Sequence, residues 1–154
     1  MIKLDLNSAI NILSLDEYSK MRTEDRKNLI DGEGLDKEEL FDYIRDRYIG
    51  IKLSYIEEKV KELYQLSINV MGTPKELFPC PCCNYKTILE EGNYQICKVC
   101  FWEDDGNRDD LKISSVNHMT LHEAKDNFKK KDAILEKFLK FVDNEGKLKY
   151  YKNI

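Results

Sequence analysis

Two Cys-x-x-Cys pairs, Cys80 with Cys83 and Cys97 with Cys100, constrain this chain more than any other feature. They are separated by the thirteen residues 84 to 96. A tetrahedral metal site needs two close pairs of sulfurs from two chain segments, and a short hairpin between the pairs supplies that. All five cysteines fall between Cys80 and Cys100, and their number is odd. Clustered cysteines of this kind read as metal ligands rather than as a disulfide framework. Four thiolates fill the coordination shell, so the expected cofactor is one structural Zn²⁺ per chain. Iron takes the same donor set, and the spacing does not separate the two. The fifth cysteine, Cys82, lies inside the first pair. It reads as a small packed group, with a reactive thiol or an alternate ligand left open.

The flanking residues suit such turns. Asn84 follows the second cysteine of the first pair, where φ > 0 is expected and Asn tolerates it. Phe101 holds the same position in the second pair, so a different turn geometry is expected there. Pro79 and Pro81 stiffen the approach. Trp102 reads as a lid over the sulfurs.

The rest of the chain divides in two. Residues 1–73 read as a helical region and 74–154 as a metal-binding module ending in a long helix, an α+β architecture. Ser14 with Glu17, Ser54 with Glu57, and Thr120 with Glu123 have capping-box spacing. Leu40, Tyr43, Ile44 and Tyr48, then Ile56, Val60, Leu63 and Tyr64, recur at helical period and predict core-facing stripes. "DGEG" (31–34) and Gly50 punctuate the helices. "LSINVMG" predicts a short strand through Ile68 and Val70. "YKTIL" and "YQIC", joined by "EEGN", predict the hairpin between the cysteine pairs. The last helix is expected to run from Thr120 through Ala124, Phe128, Leu135, Phe138 and Val142, with Lys131 interrupting its stripe. "LKYYKNI" predicts a terminal strand.

Composition bounds the function. The 154 residues are 42% hydrophobic and 35% charged, and the formal net charge is −4. Four thiolates add four negative charges and Zn²⁺ removes two, which makes the loaded chain −6. An acidic chain suits a basic partner and lacks the overall basic footprint of nucleic-acid binders. No run of about 18 apolar residues predicts a membrane span, and the first residues lack a secretory pattern, so a cytoplasmic protein is expected.

"CPCCNYKTILEEGNYQICKVCFWEDDGNRDD", followed by "NHMTLHEAKDNF", resembles the cysteine-rich CPCC family of bacterial proteins. That family's pattern runs C-P-C-C-G-Y, then I-C-x-V-C-x-W-E-D-D-G, then N-H-x-[ST]-L-x-x-A-x-x-N-F. Here it is met by Cys80, Pro81, Cys82, Cys83 and Tyr85, by Ile96, Cys97, Val99, Cys100 and Trp102 to Gly106, and by Asn117, His118, Thr120, Leu121, Ala124, Asn127 and Phe128. Asn84 departs from the pattern. The resemblance implies a zinc-ribbon-like module. It also implies an association with bacterial toxin loci, where acidic partner proteins act as immunity factors.

Other chemistry is thinner. Glu103, Asp104, Asp105, Asp109 and Asp110 form an acidic stretch that reads as a solvated loop or as a patch docking on a basic protein partner. The calcium-loop pattern fails, because Asp110 stands where Gly is required and Val116 where Glu is. His118 and His122 are four apart, without the H-E-x-x-H order of a zinc protease. His118 reads as a structural histidine anchoring a loop to the helix start, and Asn117 as a turn or cap residue. There is no phosphate loop and no nucleophile tied to a base, so neither an enzyme nor a small-molecule substrate is expected. The leading expectation is a zinc-stabilised, non-catalytic immunity protein that neutralises a basic toxin. The runner-up is a nucleic-acid binder, supported only by "NFKKKD" with Lys137 and Lys140. A metalloenzyme using the two histidines and the acidic loop is third.

Overall fold

The computed structural model describes residues 1–154, apart from the side chain of Glu33. The chain forms two compact units, Met1–Lys75 and Glu76–Ile154.

The first unit opens with a strand that the apolar pattern does not announce. β1 (Ile2–Asp5) pairs in parallel with β2 (Ile68–Met71), Ile2 opposite Ile68 and Leu4 opposite Val70. Between them run α1 (Leu6–Lys20), α2 (Thr23–Glu33), α3 (Lys37–Asp46) and α4 (Leu53–Tyr64). Asp5 caps α1: its carboxylate accepts from the Ser8 N–H at 2.9 Å and the Ser8 hydroxyl at 2.6 Å. Strand therefore passes into helix without a loop. Gly72 sits against that junction with φ +136°, and a Cβ there would lie 2.9 Å from the Leu6 Cβ, so only glycine fits. The core contains Leu40, Ile44, Ile56 and Val60, as the helical stripes predict, Ile68 and Val70 of the expected strand, and Ala9 and Leu13 of α1. Tyr43 and Tyr64, in the same stripes, face water.

Two expected caps are corrected. Ser14 lies buried inside α1, and Ser54 follows the first residue of α4, whose N-cap is Lys52. Their partners serve other ends. Glu17 accepts from the Tyr48 hydroxyl at 3.0 Å and pairs with Arg47 at 2.6 Å. Glu57 accepts from the Val70 N–H at 2.9 Å, which ties α4 to β2. The true boxed cap is Asp36 with Glu39 on α3. "DGEG" does not break the chain at its start, since α2 continues to Glu33 and ends on left-handed Gly34.

In the second unit the predicted hairpin is replaced by a different pairing. β3 (Phe78–Pro79) pairs antiparallel with β4 (Lys86–Ile88), and Ile96 bridges Glu103. Each cysteine pair is thus itself the turn of a small hairpin, so its flanking residues pair with each other rather than with the other hairpin. The "YKTIL" and "YQIC" segments are joined instead by the Gln95 side chain, which accepts from the Leu89 N–H at 2.7 Å. β5 (Ile113–Ser114) and β6 (Met119–Thr120) form a further pair.

α5 (Leu121–Lys131) starts at the expected capping box, with Glu123 N–H donating to the Thr120 hydroxyl at 3.1 Å. Thr120→Ala is expected to cost about 1 kcal/mol, read by urea denaturation. The long helix expected through Val142 ends at Lys131. Asp132 turns left-handed (φ 62°), and Ala133 and Ile134 become buried. Asn127 Nδ2 holds the Ile134 carbonyl at 2.9 Å, fixing the turn. A 3-10 turn (Glu136–Phe138) and the short α6 (Gly146–Lys149) follow. "LKYYKNI" forms no strand, and Lys152 makes an isolated bridge to Tyr85. Among the described residues no helix is long and apolar enough to cross a membrane.

Candidate metal centre

The two cysteine turns are built alike. In the first, Cys80 N–H donates to the Tyr85 carbonyl at 2.8 Å and Asn84 N–H to the Cys80 carbonyl at 2.9 Å. In the second, Cys97 N–H donates to Trp102 O at 2.8 Å and Phe101 N–H to Cys97 O at 2.9 Å. Asn84 (φ 66°) and Phe101 (φ 73°) are both left-handed. The second turn therefore does not differ from the first, contrary to expectation. A left-handed Phe is strained by about 1 kcal/mol or more. Its ring is held against Phe138 (centroids 4.4 Å) and Phe141 (5.6 Å).

The turns bring four sulfurs together. Cys80 Sγ lies 3.6 Å from Cys100 Sγ, and Cys83 Sγ 3.6 Å from Cys97 Sγ. All four sulfurs lie within 4.8 Å of one another, and all four residues are buried. A metal about 2.3 Å from four tetrahedral sulfurs places them about 3.8 Å apart, so the cluster fits such an ion. A disulfide needs about 2.05 Å, and all five cysteines are free.

The surroundings act unequally on the sulfurs. The Thr87 hydroxyl donates to Cys97 Sγ at 3.0 Å, Val99 N–H to the same sulfur at 3.4 Å, and Trp102 N–H to Cys100 Sγ at 3.5 Å. Burial pushes the Cys80 and Cys100 thiols well above their ordinary value. Burial acts on Cys97 too, but hydrogen bonds from Cys100, Cys80, Cys83 and Thr87 outweigh it and bring Cys97 well below. Four adjacent buried thiols do not all ionise on their own. A divalent cation changes that balance, because coordinated thiols are deprotonated.

Cys82 is buried but stays outside the four-sulfur cluster, and it helps push the Cys100 thiol up. Trp102 is fully buried, with its backbone rather than its indole N–H on a sulfur. The second turn is also held from behind. Ile134 N–H donates to the Cys100 carbonyl at 2.9 Å and Asp143 N–H to Lys98 O at 2.8 Å. Gly146 packs so closely on Val99 that a Cβ would lie 3.0 Å from Val99 Cγ2.

The acidic stretch is not a uniform surface patch, and Asp104 must be removed from it. Asp104 is fully buried. Its carboxylate accepts from Arg108 at 2.7 and 3.2 Å, Gly92 N–H at 3.0 Å and Gly106 N–H at 3.3 Å. Burial alone would raise this carboxyl, but Arg108 and the two N–H groups hold it below the usual range. Asp105 accepts from the Ser114 hydroxyl at 2.7 Å, and Asp110 pairs with Lys125 at 2.7 Å. Asp109 accepts from the Leu111 N–H at 3.0 Å. Glu103 is clasped by Asn117, which accepts from its N–H and donates to its carbonyl, both at 2.9 Å. Asn117 thus mimics a neighbouring strand.

His118 is corrected as well. Its ring is exposed, and the residue contributes through its left-handed backbone (φ 58°) in the turn between β5 and β6. His122 is exposed and faces Asp126 at 3.6 Å. Among the described residues only the four cysteines form a metal-ligating cluster. Thr87 and Arg108 escape a reading of the sequence. A Thr in a strand and an Arg in an acidic loop are ordinary until folding sets each beside its partner.

Four buried cysteine sulfurs carried on two matched turns define a cysteine-rich module able to hold a metal ion. Residues 78–147 match the family model described as Cysteine-rich CPCC. No curated protein and no solved structure matches the chain.

Proposed function

We propose that the protein is a zinc-stabilised, non-catalytic binding module. The observation that carries this reading is the closed site: four buried thiols supply every coordination position and leave none for water or substrate. Zinc is the ion of choice for four thiolates in a purely structural role.

The finer reading is an immunity protein that covers the basic surface of a cognate toxin. It is supported by the net charge of −4 and by the family's association with toxin loci. Asp109 and Asp110 remain exposed at the acidic loop, while Asp104 serves inside. Co-expression with a toxin encoded beside its gene is the test. Rescue of growth is expected, and charge reversal at Asp109 and Asp110 should weaken it. Unprotected growth with every adjacent toxin-like product would remove the immunity reading and leave the binding module intact.

A further inference from the structure

The loop from Ile134 to Asp143 is strung on the second cysteine turn by its two ends, through Cys100 O and Lys98 O. Between those anchors it displays aromatic rings and two lysines, with Glu136 the one exposed carboxylate among them. Phe141 is 60% exposed and Leu139 43% exposed, and both Phe138 and Phe141 lie against Phe101. Lys137 sits over the Phe138 ring at 5.2 Å and Lys140 over Phe141 at 5.1 Å. Asp132 is taken by Lys147 and Asp143 by Lys149. Lys137 and Lys140, with Lys129, Lys130 and Lys131 at the end of α5, have no carboxylate partner among the described residues.

We propose that this loop is a docking strip for single-stranded nucleic acid. Ammonium groups alternating with aromatic rings match a strand that alternates phosphates with flat bases. A narrow strand meets the basic strip alone, whereas a flat anionic membrane would also meet the surrounding acidic surface of a chain with net charge −4. The proposal stands apart from the immunity reading, which uses the acidic loop.

The test is fluorescence anisotropy of a labelled oligothymidylate of about twenty nucleotides with the zinc-loaded full chain. Binding is expected at low salt. With four phosphate contacts, a fourfold rise in salt should weaken it roughly fiftyfold. Lys137→Glu with Lys140→Glu should lose about tenfold or more with metal content and melting temperature unchanged, and Phe141→Ala, which also removes a ring packed on Phe101, about fivefold or more with metal content unchanged. No binding by the native protein at low salt overturns the proposal. So does binding that survives both variants, or competition by polyglutamate equal to that by unlabelled oligothymidylate. Capture by phosphatidylglycerol vesicles without oligothymidylate binding also overturns it and assigns the strip to a lipid surface.

Discussion

Cys97→Ser is expected to strip the metal from the second unit and melt it. Cys97 is the most heavily bonded of the four sulfurs, taking the Thr87 hydroxyl and the Val99 N–H. Structural zinc contributes about 10–16 kcal/mol in small tetrathiolate or mixed-ligand peptides. A whole domain holds only about 5–15 kcal/mol, so this loss exceeds what the unit can absorb. Elemental analysis should read one metal per native chain and none in the variant. The single Trp102, fully buried, should shift its fluorescence to the red as the unit opens. Cys83→Ser should behave likewise. Cys82→Ser should keep its metal, because Cys82 lies outside the cluster. Metal retention with cooperative folding in Cys97→Ser would refute the site. Because the ligands are thiolates, protons compete with the ion, and metal loss is expected as pH falls rather than as it rises.

Asp104→Asn should be the next most damaging change, at about 3 kcal/mol. Asp104 is an internal counter-ion, and the amide loses the charge that Arg108 meets at 2.7 Å. It also turns a donor toward groups that only donate, the Gly92 and Gly106 N–H groups among them. The pH dependence has a definite sign. A carboxyl lowered on folding stabilises the native state above its unfolded value of about 3.9, and that stability fades as pH falls through its lower folded value. Native protein should therefore lose stability below about pH 4, while the variant lacks this component. Thermal melts across that range, with metal content followed in parallel, compare the two. Equal melting temperatures at neutral pH would show that the pair contributes nothing.

The parts legible in the sequence are those whose chemistry is local. Cys80 with Cys83, and Cys97 with Cys100, announce themselves because both sulfurs of a pair sit on one turn. Thr120 with Glu123 announces α5 for the same reason. The misses are non-local. β1 finds its partner at Ile68, a pairing that no window of sequence contains. The expected hairpin failed because the cysteine turn is the hairpin turn, which spacing alone does not distinguish. Ser14 and Ser54 match a capping box in pattern but lie inside helices whose N-caps are Asp5 and Lys52. The last helix stops at Asp132 because Ala133 and Ile134 gain more by turning into the core beside Cys100 than by extending a helix past three exposed lysines.

The first cysteine turn has a consequence for the order in which the molecule can be completed during synthesis. Asn84 donates through its side chain to the Asn153 carbonyl at 2.6 Å across a separation of 69 residues, and Lys86 N–H donates to Tyr151 O at 2.7 Å. At roughly 5–20 residues per second, the ribosome delivers those partners several seconds after the cysteines themselves. Metal capture can precede the bracing of the site, so a nascent chain passes through an interval in which its thiols are present and its scaffold is unfinished. The four-sulfur site is thus offered to a metal before the C-terminal residues that brace its first turn have been made.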